Sequence, residues 1–116
     1  MNRTRAEQQG RRGETLAAWY LRLKGWRVVA RRVKTPRGEI DLVVRRGRTV
    51  AFVEVKWRKS SHGLGLAIDA HRLRRVAAAA EALVPRYSRN GDDVRVDVIL
   101  MAPGCWPVHL ANAWQP

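Results

Sequence analysis

The sequence predicts an α/β fold in which a mixed β-sheet is flanked by helices. Valine-rich runs in which apolar and polar residues alternate indicate four strands. Two stretches with apolar residues three or four positions apart indicate helices. The predicted order is αβββαβ, and Val108–Ala111 adds a short edge strand. The length suits one domain, so we assign 1–12 to a basic flexible tail and 13–116 to a single domain.

The first predicted helix runs from Gly13 to Leu23, where apolar residues form a stripe along one side. Gly25 suits the C-terminal cap of this helix because glycine tolerates the left-handed conformation. Trp26–Arg31 alternates between apolar and basic residues, which predicts the first strand. Tryptophan is more often a packing residue than an exposed one, so we expect Trp19 and Trp26 to lie in the core.

The next two runs have the pattern of an antiparallel hairpin. Glu39–Arg45 and Val50–Trp57 are β-rich and flank the short segment 46–49. The turn formers at 35–38 separate this pair from the first strand. Three consecutive strands with short connections are therefore expected to lie side by side.

The second predicted helix is the alanine-rich stretch Ile68–Val84, with Pro85 expected just after its end. It lies between the strand that ends at Trp57 and the strand Val94–Met101. A strand, a helix and another strand in this order predict a right-handed parallel crossover. The sheet is therefore expected to contain antiparallel and parallel pairs.

Charge is the strongest signal in the composition. Lysine and arginine number 23 against 10 aspartates and glutamates, which gives a net charge of +13 and a pI near 11.6. Such an excess attracts polyanions, and nucleic acid, DNA before RNA, is the partner we expect. A solvated basic surface is the plainer alternative. Membrane binding is disfavoured because no basic helix carries large apolar anchors.

The location that the sequence predicts is the cytoplasm. One cysteine, Cys105, excludes an intrachain disulfide and suits a reducing compartment. The first residues lack the apolar run of a secretory signal, and no stretch approaches the length needed to span a bilayer.

Charged residues inside the apolar hairpin strands are the feature most indicative of chemistry. Side chains alternate between the two faces of a sheet, so Glu54 and Lys56 share a face. A four-residue hairpin loop places Asp41 opposite Glu54, whereas a two-residue loop places Glu39 there and Asp41 opposite Phe52. Either register brings Asp41, Glu54 and Lys56 to one face. An odd-length loop without a bulge would separate them.

Two neighbouring carboxylates repel unless a proton or a cation lies between them. Mg²⁺ or Mn²⁺ prefers oxygen ligands, so we expect Asp41, Glu54 and the carbonyl of Val55 to bind such an ion. Lys56 can then approach the attacking water or the scissile phosphate, which suits metal-assisted phosphodiester hydrolysis. The alternative is an exposed cross-strand salt bridge between Glu54 and Lys56. The presence of Asp41 and the basic surface favour the metal site.

The motifs Gly38-Glu39-Ile40-Asp41-Leu42 and Phe52-Val53-Glu54-Val55-Lys56 resemble those of the YraN family of small bacterial proteins. That family is related to Holliday-junction resolvases and to the PD-(D/E)XK nuclease superfamily. The resemblance implies a restriction-endonuclease-like αβββαβ core. It also implies that Asp41 and Glu54 are metal ligands, Lys56 is the lysine of the ExK element and Glu14 completes the site.

Two residues depart from the family pattern. Arg32 stands where asparagine is frequent, and Arg72 stands where lysine is frequent on the second helix. Glu14 has an alternative role as a first-turn glutamate that favours the helix dipole. Glu39 is expected at the surface or behind the site. Asp97 is expected to pair with a nearby arginine.

The functional hypothesis is a Mg²⁺- or Mn²⁺-dependent endonuclease-like protein acting on branched DNA. A non-catalytic nucleic-acid-binding module with the same fold is the alternative, and a basic ribosome- or partner-associated protein is a third. The sequence leaves a homodimer open. The three histidines, His62, His71 and His109, are expected in loops or at the surface. The expected nucleic-acid contacts are Arg58, Lys59, Ser60, Arg72 and Arg75.

Overall fold

The structure is a computed structural model that describes residues 2–58 and 70–114, with side chains from residue 13 onward. Two helices and five strands make up this part of the chain. Their bounds are α1 Asn2–Leu23, β1 Arg27–Thr35, β2 Gly38–Arg46, β3 Thr49–Trp57, α2 Ala70–Tyr87, β4 Asp93–Met101 and β5 Val108–Leu110. The predicted αβββαβ order is confirmed, with β5 added at the end. Lys59, Ser60 and His62 lie outside the described residues.

Both helices are longer than the sequence pattern predicted. Helix α1 begins at Asn2, not Gly13, so it includes the basic segment that the sequence assigned to a tail. That segment is rich in arginine and glutamine, which favour a helix. It lacks the apolar stripe from which we predicted the start of the helix. Helix α2 continues through Pro85 to Tyr87, so the prediction that Pro85 follows its end was wrong.

The five strands form one sheet in the order β1-β2-β3-β4-β5. The first three strands are antiparallel neighbours, β3 and β4 are parallel, and β5 pairs antiparallel with β4. The parallel crossover between β3 and β4 is thus confirmed. Strand β1 and the three-residue β5 are the two edges.

Each face of the sheet is covered by one helix. Ala17, Ala18 and Leu21 of α1 pack with Trp26 and with one set of alternating strand residues. Val76, Ala79, Ala80 and Leu83 of α2 pack on the opposite face, where Phe52 is fully buried. The expectation that Trp26 packs in the core is confirmed. The same expectation for Trp19 was wrong: it lies on the outer side of α1 and is 58% exposed.

Apart from a bulge between Val28 and Ala30, the alternation of faces breaks at one level of the β1–β2 hairpin. Leu42 and Val44 face α1, as period two requires, but Ile40 faces α2 together with Val43. Strand β1 changes faces at the matching level, since Ala30 and Val33 both lie on the α2 side. The register places Arg32 level with Asp41 at this break.

Arg32 has a φ of 53°, which reverses the direction of its side chain within the strand. A non-glycine residue in this left-handed region costs about 1–2 kcal/mol. The hairpin therefore adopts a strained conformation next to one of the carboxylates that the sequence indicated.

Candidate functional site

Asp41 lies where β2 and β3 stop pairing. The paired residues run from Arg46↔Thr49 to Leu42↔Val53, which leaves Gly47 and Arg48 as the turn. This register is the one predicted for a four-residue loop. The turn itself is shorter because Arg46 and Thr49, which belong to that loop, also pair. Extending the register by one residue places Asp41 level with Glu54, as that alternative predicted.

The Asp41 side chain takes the position of a backbone acceptor between the strands. Its Oδ2 accepts a hydrogen bond of 2.7 Å from the backbone N–H of Val55. In an unbroken antiparallel ladder of this register, that N–H would point to a backbone carbonyl of β2. Here the Asp41 carboxyl group accepts this hydrogen bond in place of a backbone carbonyl. The backbones of β2 and β3 no longer pair at this level, and the carboxyl group is held beside Glu54.

Asp41 and Glu54 form a close carboxyl pair in a largely buried setting. Glu54 is only 5% exposed. Burial and the neighbouring charge of Glu54 raise the pKa of Asp41 to about 8, although the hydrogen bond from Val55 acts in the opposite direction. The pair therefore holds a proton at neutral pH unless another cation takes its place.

A cavity of about 250 Å³ opens beside the pair on the α2 side of the sheet. Arg72 of α2 donates to Oε1 of Glu54 over 3.2 Å, and its side chain is 47% exposed. Three acids and two arginines thus border one opening. The lining residues are Gly38, Glu39, Asp41, Glu54, Arg72, Arg75 and Val76.

Lys56 lies two residues beyond Glu54 on β3 and is half-buried. It is outside the lining of the cavity, toward the carboxyl end of the strand. Arg58 follows the strand, and its backbone N–H donates to the carbonyl of Met101 over 2.6 Å. The face shared by Glu54 and Lys56 therefore leads from the acidic pair to the end of β3.

Glu14 contacts an arginine and does not join the acidic pair. Its Oε1 accepts a 2.7 Å hydrogen bond from Nε of Arg32, and its side chain is 9% exposed. Among residues 2–58 and 70–114, no three side chains of Asp, Glu, His or Cys lie close enough to hold a metal ion together. The charge of Glu14 also contributes to the raised pKa of Asp41, so Glu14 lies near the pair, and its part in completing the site stays a prediction.

The donors present fit a hard divalent cation held by few protein ligands. Asp41 and Glu54 supply carboxylate oxygens, and the backbone carbonyl of Val55 lies on the same strand. Mg²⁺ binds well to one or two carboxylates when water and substrate phosphate complete its shell. A cation between the carboxyl groups would also relieve the repulsion that raises the pKa of Asp41.

A second buried carboxylate, Asp97 on β4, has a different environment. It accepts hydrogen bonds from Nε and Nη2 of Arg95, from Nε2 of His109 and from the backbone N–H of Asn112. The expectation that Asp97 pairs with an arginine is confirmed. The expectation that His109 is a surface or loop residue was wrong, since its side chain is 7% exposed and lies on β5.

Sequence reasoning missed two features of the site. It did not assign a partner to Arg32, because a left-handed residue inside a strand leaves no mark in the apolar pattern. It also did not join His109 to Asp97, since the two are brought together by the pairing of β4 with β5. The one available signal for the unusual conformation of Arg32 was that the family frequently has asparagine at this position.

Comparison with known proteins identifies the family. The model of the Uncharacterised protein family UPF0102 matches residues 13–101. This chain belongs to the UPF0102 family. A UPF0102 protein of Sphingopyxis alaskensis is 61% identical, and one of Erythrobacter litoralis is 63% identical, both over the full length of either chain. A UPF0102 protein of Rhizorhabdus wittichii is 63% identical over 97% of this chain and 96% of its own.

The predicted membership of the YraN family, whose designation is UPF0102, is therefore confirmed. The UPF0102 match includes Glu14, Asp41, Glu54 and Lys56 within its span. None of the helices formed by residues 2–58 and 70–114 is long and apolar enough to cross a membrane.

Proposed function

We propose that this UPF0102 protein is a Mg²⁺- or Mn²⁺-dependent endonuclease-like phosphodiester hydrolase that acts on structured, branched DNA. The observation that supports it best is the buried Asp41–Glu54 pair beside a cavity bordered by Arg72 and Arg75. Buried aspartates and glutamates with a purely structural role normally receive enough hydrogen bonds or ion pairs to compensate their charge. This pair retains its mutual repulsion and lies next to cationic side chains suited to phosphate.

Each residue has a role that follows from its position. Asp41 and Glu54 hold the ion, with the Val55 carbonyl as a further oxygen ligand. When bound there, such an ion would supply polarisation of the phosphate and a lower pKa of nearby water. Lys56 orients the attacking water or contacts the scissile phosphate. Arg72 and Arg75 bind the phosphate from the α2 side, while Arg58 and the segment after it contact the backbone further along.

The test is a cleavage assay on end-labelled four-way junction, flap and linear duplex DNA with Mg²⁺ or Mn²⁺. We expect cleavage by the wild type and its loss by at least about 100-fold in Asp41→Asn, Glu54→Gln and Lys56→Met. Glu81→Gln is the matched control, because Glu81 is exposed on α2 and lies outside the cavity lining. Cleavage that persists in Asp41→Asn would show that another site or a contaminant is responsible.

A second candidate function is non-catalytic nucleic-acid binding. The contact between Arg72 and Glu54 favours it, because the guanidinium already neutralises one of the acids that an ion would need. This function predicts salt-sensitive DNA binding, no cleavage of any substrate with Mn²⁺ and unchanged affinity in Asp41→Asn. The same set of variants therefore separates the two functions.

A further inference from the structure

The backbone of Arg32 points to a constrained position beside the site. Residues with long side chains rarely adopt a positive φ, and Arg32 does so in the middle of β1, level with Asp41. In the described part of the chain the other non-glycine residue with positive φ is Asn112, a type that tolerates this conformation. Strain of this kind persists where surrounding contacts hold it, often at binding sites.

Glu14 is the contact that holds Arg32. The glutamate is buried on α1, whereas the arginine side chain is 39% exposed. The hydrogen bond uses Nε, and within residues 2–58 and 70–114 the terminal Nη groups of Arg32 donate to no other side chain or carbonyl. Glu39 and Asp41 add a favourable field, and together with Glu14 they raise the pKa of Arg32. Glu14 thus holds the Arg32 guanidinium at Nε, while the terminal Nη groups make no other hydrogen bond within the described residues.

Two arginines therefore lie near the acidic pair on different elements: Arg72 lines the cavity, whereas Arg32 lies outside its lining and contacts α1. Arg72 approaches Glu54 from α2, and Arg32 lies level with Asp41 on β1. Arg32 contacts Glu14 and Arg72 contacts Glu54, and both arginine side chains are partly exposed. The planar guanidinium of Arg32 is suited to a phosphate oxygen pair.

We propose that Arg32, held by Glu14, is a phosphate-binding residue that engages the backbone of the nucleic-acid strand on the β1 side of the acidic pair. This inference rests on the proposed function, because it assigns the path of the substrate at the same site. The strand crosses the pair from Arg72 and Arg75 to Arg32. Glu14 is then a positioning residue and not a metal ligand.

The first experiment measures binding to a four-way junction in EDTA at several salt concentrations. Arg32→Asn removes the guanidinium but keeps a residue that tolerates positive φ. We expect it to weaken binding and to reduce the slope of log K against log salt by about 0.9, the value for one phosphate contact on duplex DNA. Arg27→Asn is the matched control, because Arg27 is an exposed arginine of the same strand with the same charge. It should leave the slope unchanged.

The second experiment tests the coupling between Glu14 and Arg32. We expect Glu14→Gln to weaken junction binding, and the double variant Glu14→Gln/Arg32→Asn to bind no worse than Arg32→Asn alone. The double variant also removes the unpaired buried carboxylate that Arg32→Asn leaves behind, so it remains informative if the single variant folds poorly. Additive losses in the double variant would contradict the positioning role.

A third measurement separates positioning from metal binding. Calorimetry with Mn²⁺ alone should give wild-type affinity for Glu14→Gln and a strong loss for Asp41→Asn. Loss of Mn²⁺ binding in Glu14→Gln would overturn the assignment of Glu14. If the wild type binds junction DNA and Arg32→Asn behaves like Arg27→Asn, the inference fails while the proposed function stands. If the wild type binds no DNA, the proposed function fails first.

Discussion

Asp41 and Asp97 are both buried carboxylates of the same sheet, yet their surroundings are opposite. Asp97 is fully buried and receives hydrogen bonds from Arg95, His109 and the backbone of Asn112. Asp41 receives one backbone hydrogen bond, from Val55, and faces a second acid, Glu54. One carboxylate is saturated with donors, and the other is deficient in them.

These different surroundings shift the two pKa values in opposite directions from the usual value of an aspartate. Burial acts to raise the pKa of Asp97, but hydrogen bonds from His109, Arg95 and Asn112 outweigh it and keep the value below the usual range. Burial and Glu54 raise the pKa of Asp41 to about 8. Burial of an acid therefore does not by itself identify a functional group, whereas a shortage of donors around a buried acid does.

The largest expected effect is the loss of stability in Asp97→Asn. The change removes the charge that three donor groups share, and it turns an amide N–H₂ toward one of them. Breaking a buried ion pair from one side costs about 3–5 kcal/mol, so we expect a loss of about 3 kcal/mol in the free energy of unfolding. Urea titration followed by circular dichroism measures it.

The matched control for this change is Asp93→Asn, at an exposed position of the same strand. It should alter stability by less than about 0.5 kcal/mol. Equal effects at the two positions would mean that the Asp97 network does not stabilise β4 and β5.

Replacing Asp41 by asparagine should instead raise the free energy of unfolding. At pH 7 and without divalent ions, folding forces Asp41 to take up a proton, because its pKa rises from 3.8 to about 8. Asparagine avoids this cost and can still accept the Val55 hydrogen bond. We expect Asp41→Asn to stabilise the protein by about 2 kcal/mol, within the limit that such a shift allows. Urea titration in EDTA at pH 7 tests it, and destabilisation would show that the pair is not strained.

The pH dependence gives a further contrast. Between about pH 4 and 8 the folded chain holds the Asp41 proton and the unfolded chain does not, so this group makes stability fall as pH rises. For Asp97 the pKa is depressed in the folded state, so its contribution is present above about pH 4 and is lost as pH falls below that value. The stability advantage of Asp41→Asn over wild type should therefore grow from pH 4 to pH 8. A difference independent of pH would contradict the shifted pKa.

The smallest expected effect concerns the outer end of the Asp97 network. Nζ of Lys24 lies 3.1 Å from Nδ1 of His109 at an exposed position. Because lysine only donates, this contact favours the tautomer in which Nε2–H of His109 donates to Asp97. Lys24→Met should cost about 0.5 kcal/mol, as exposed polar pairs do. A loss comparable to that of Asp97→Asn would show that the lysine is an essential part of the network.

The sequence predicted much of this arrangement because local patterns carry it. Alternating residues gave the strands, and the hairpin of β2 and β3 placed Asp41 level with Glu54 in one of the two registers considered. The crossover through α2 was also predicted, although the contact of Arg72 with Glu54 was not. These features depend on periodicity and on the handedness of connections, which a single sequence contains.

The partners of the remaining charged residues depend on tertiary contacts. Glu14 was expected to complete the acidic site, and nothing in the sequence indicated that Arg32, at a positive φ, would be its hydrogen-bond partner. His109 reaches Asp97 only when β5 docks on β4. Such pairings join residues far apart in the chain, and neither charge nor spacing distinguishes them from surface residues.

The two edges of the sheet bear on aggregation. An edge strand presents unpaired backbone groups to which another chain can add. Here one edge is β5, with three residues, and the other is β1, where Arg27, Arg31, Arg32 and Lys34 are exposed. A short edge and a row of like charges both oppose the addition of a strand. The arginine that strains the hairpin thus also belongs to the barrier that keeps neighbouring sheets apart.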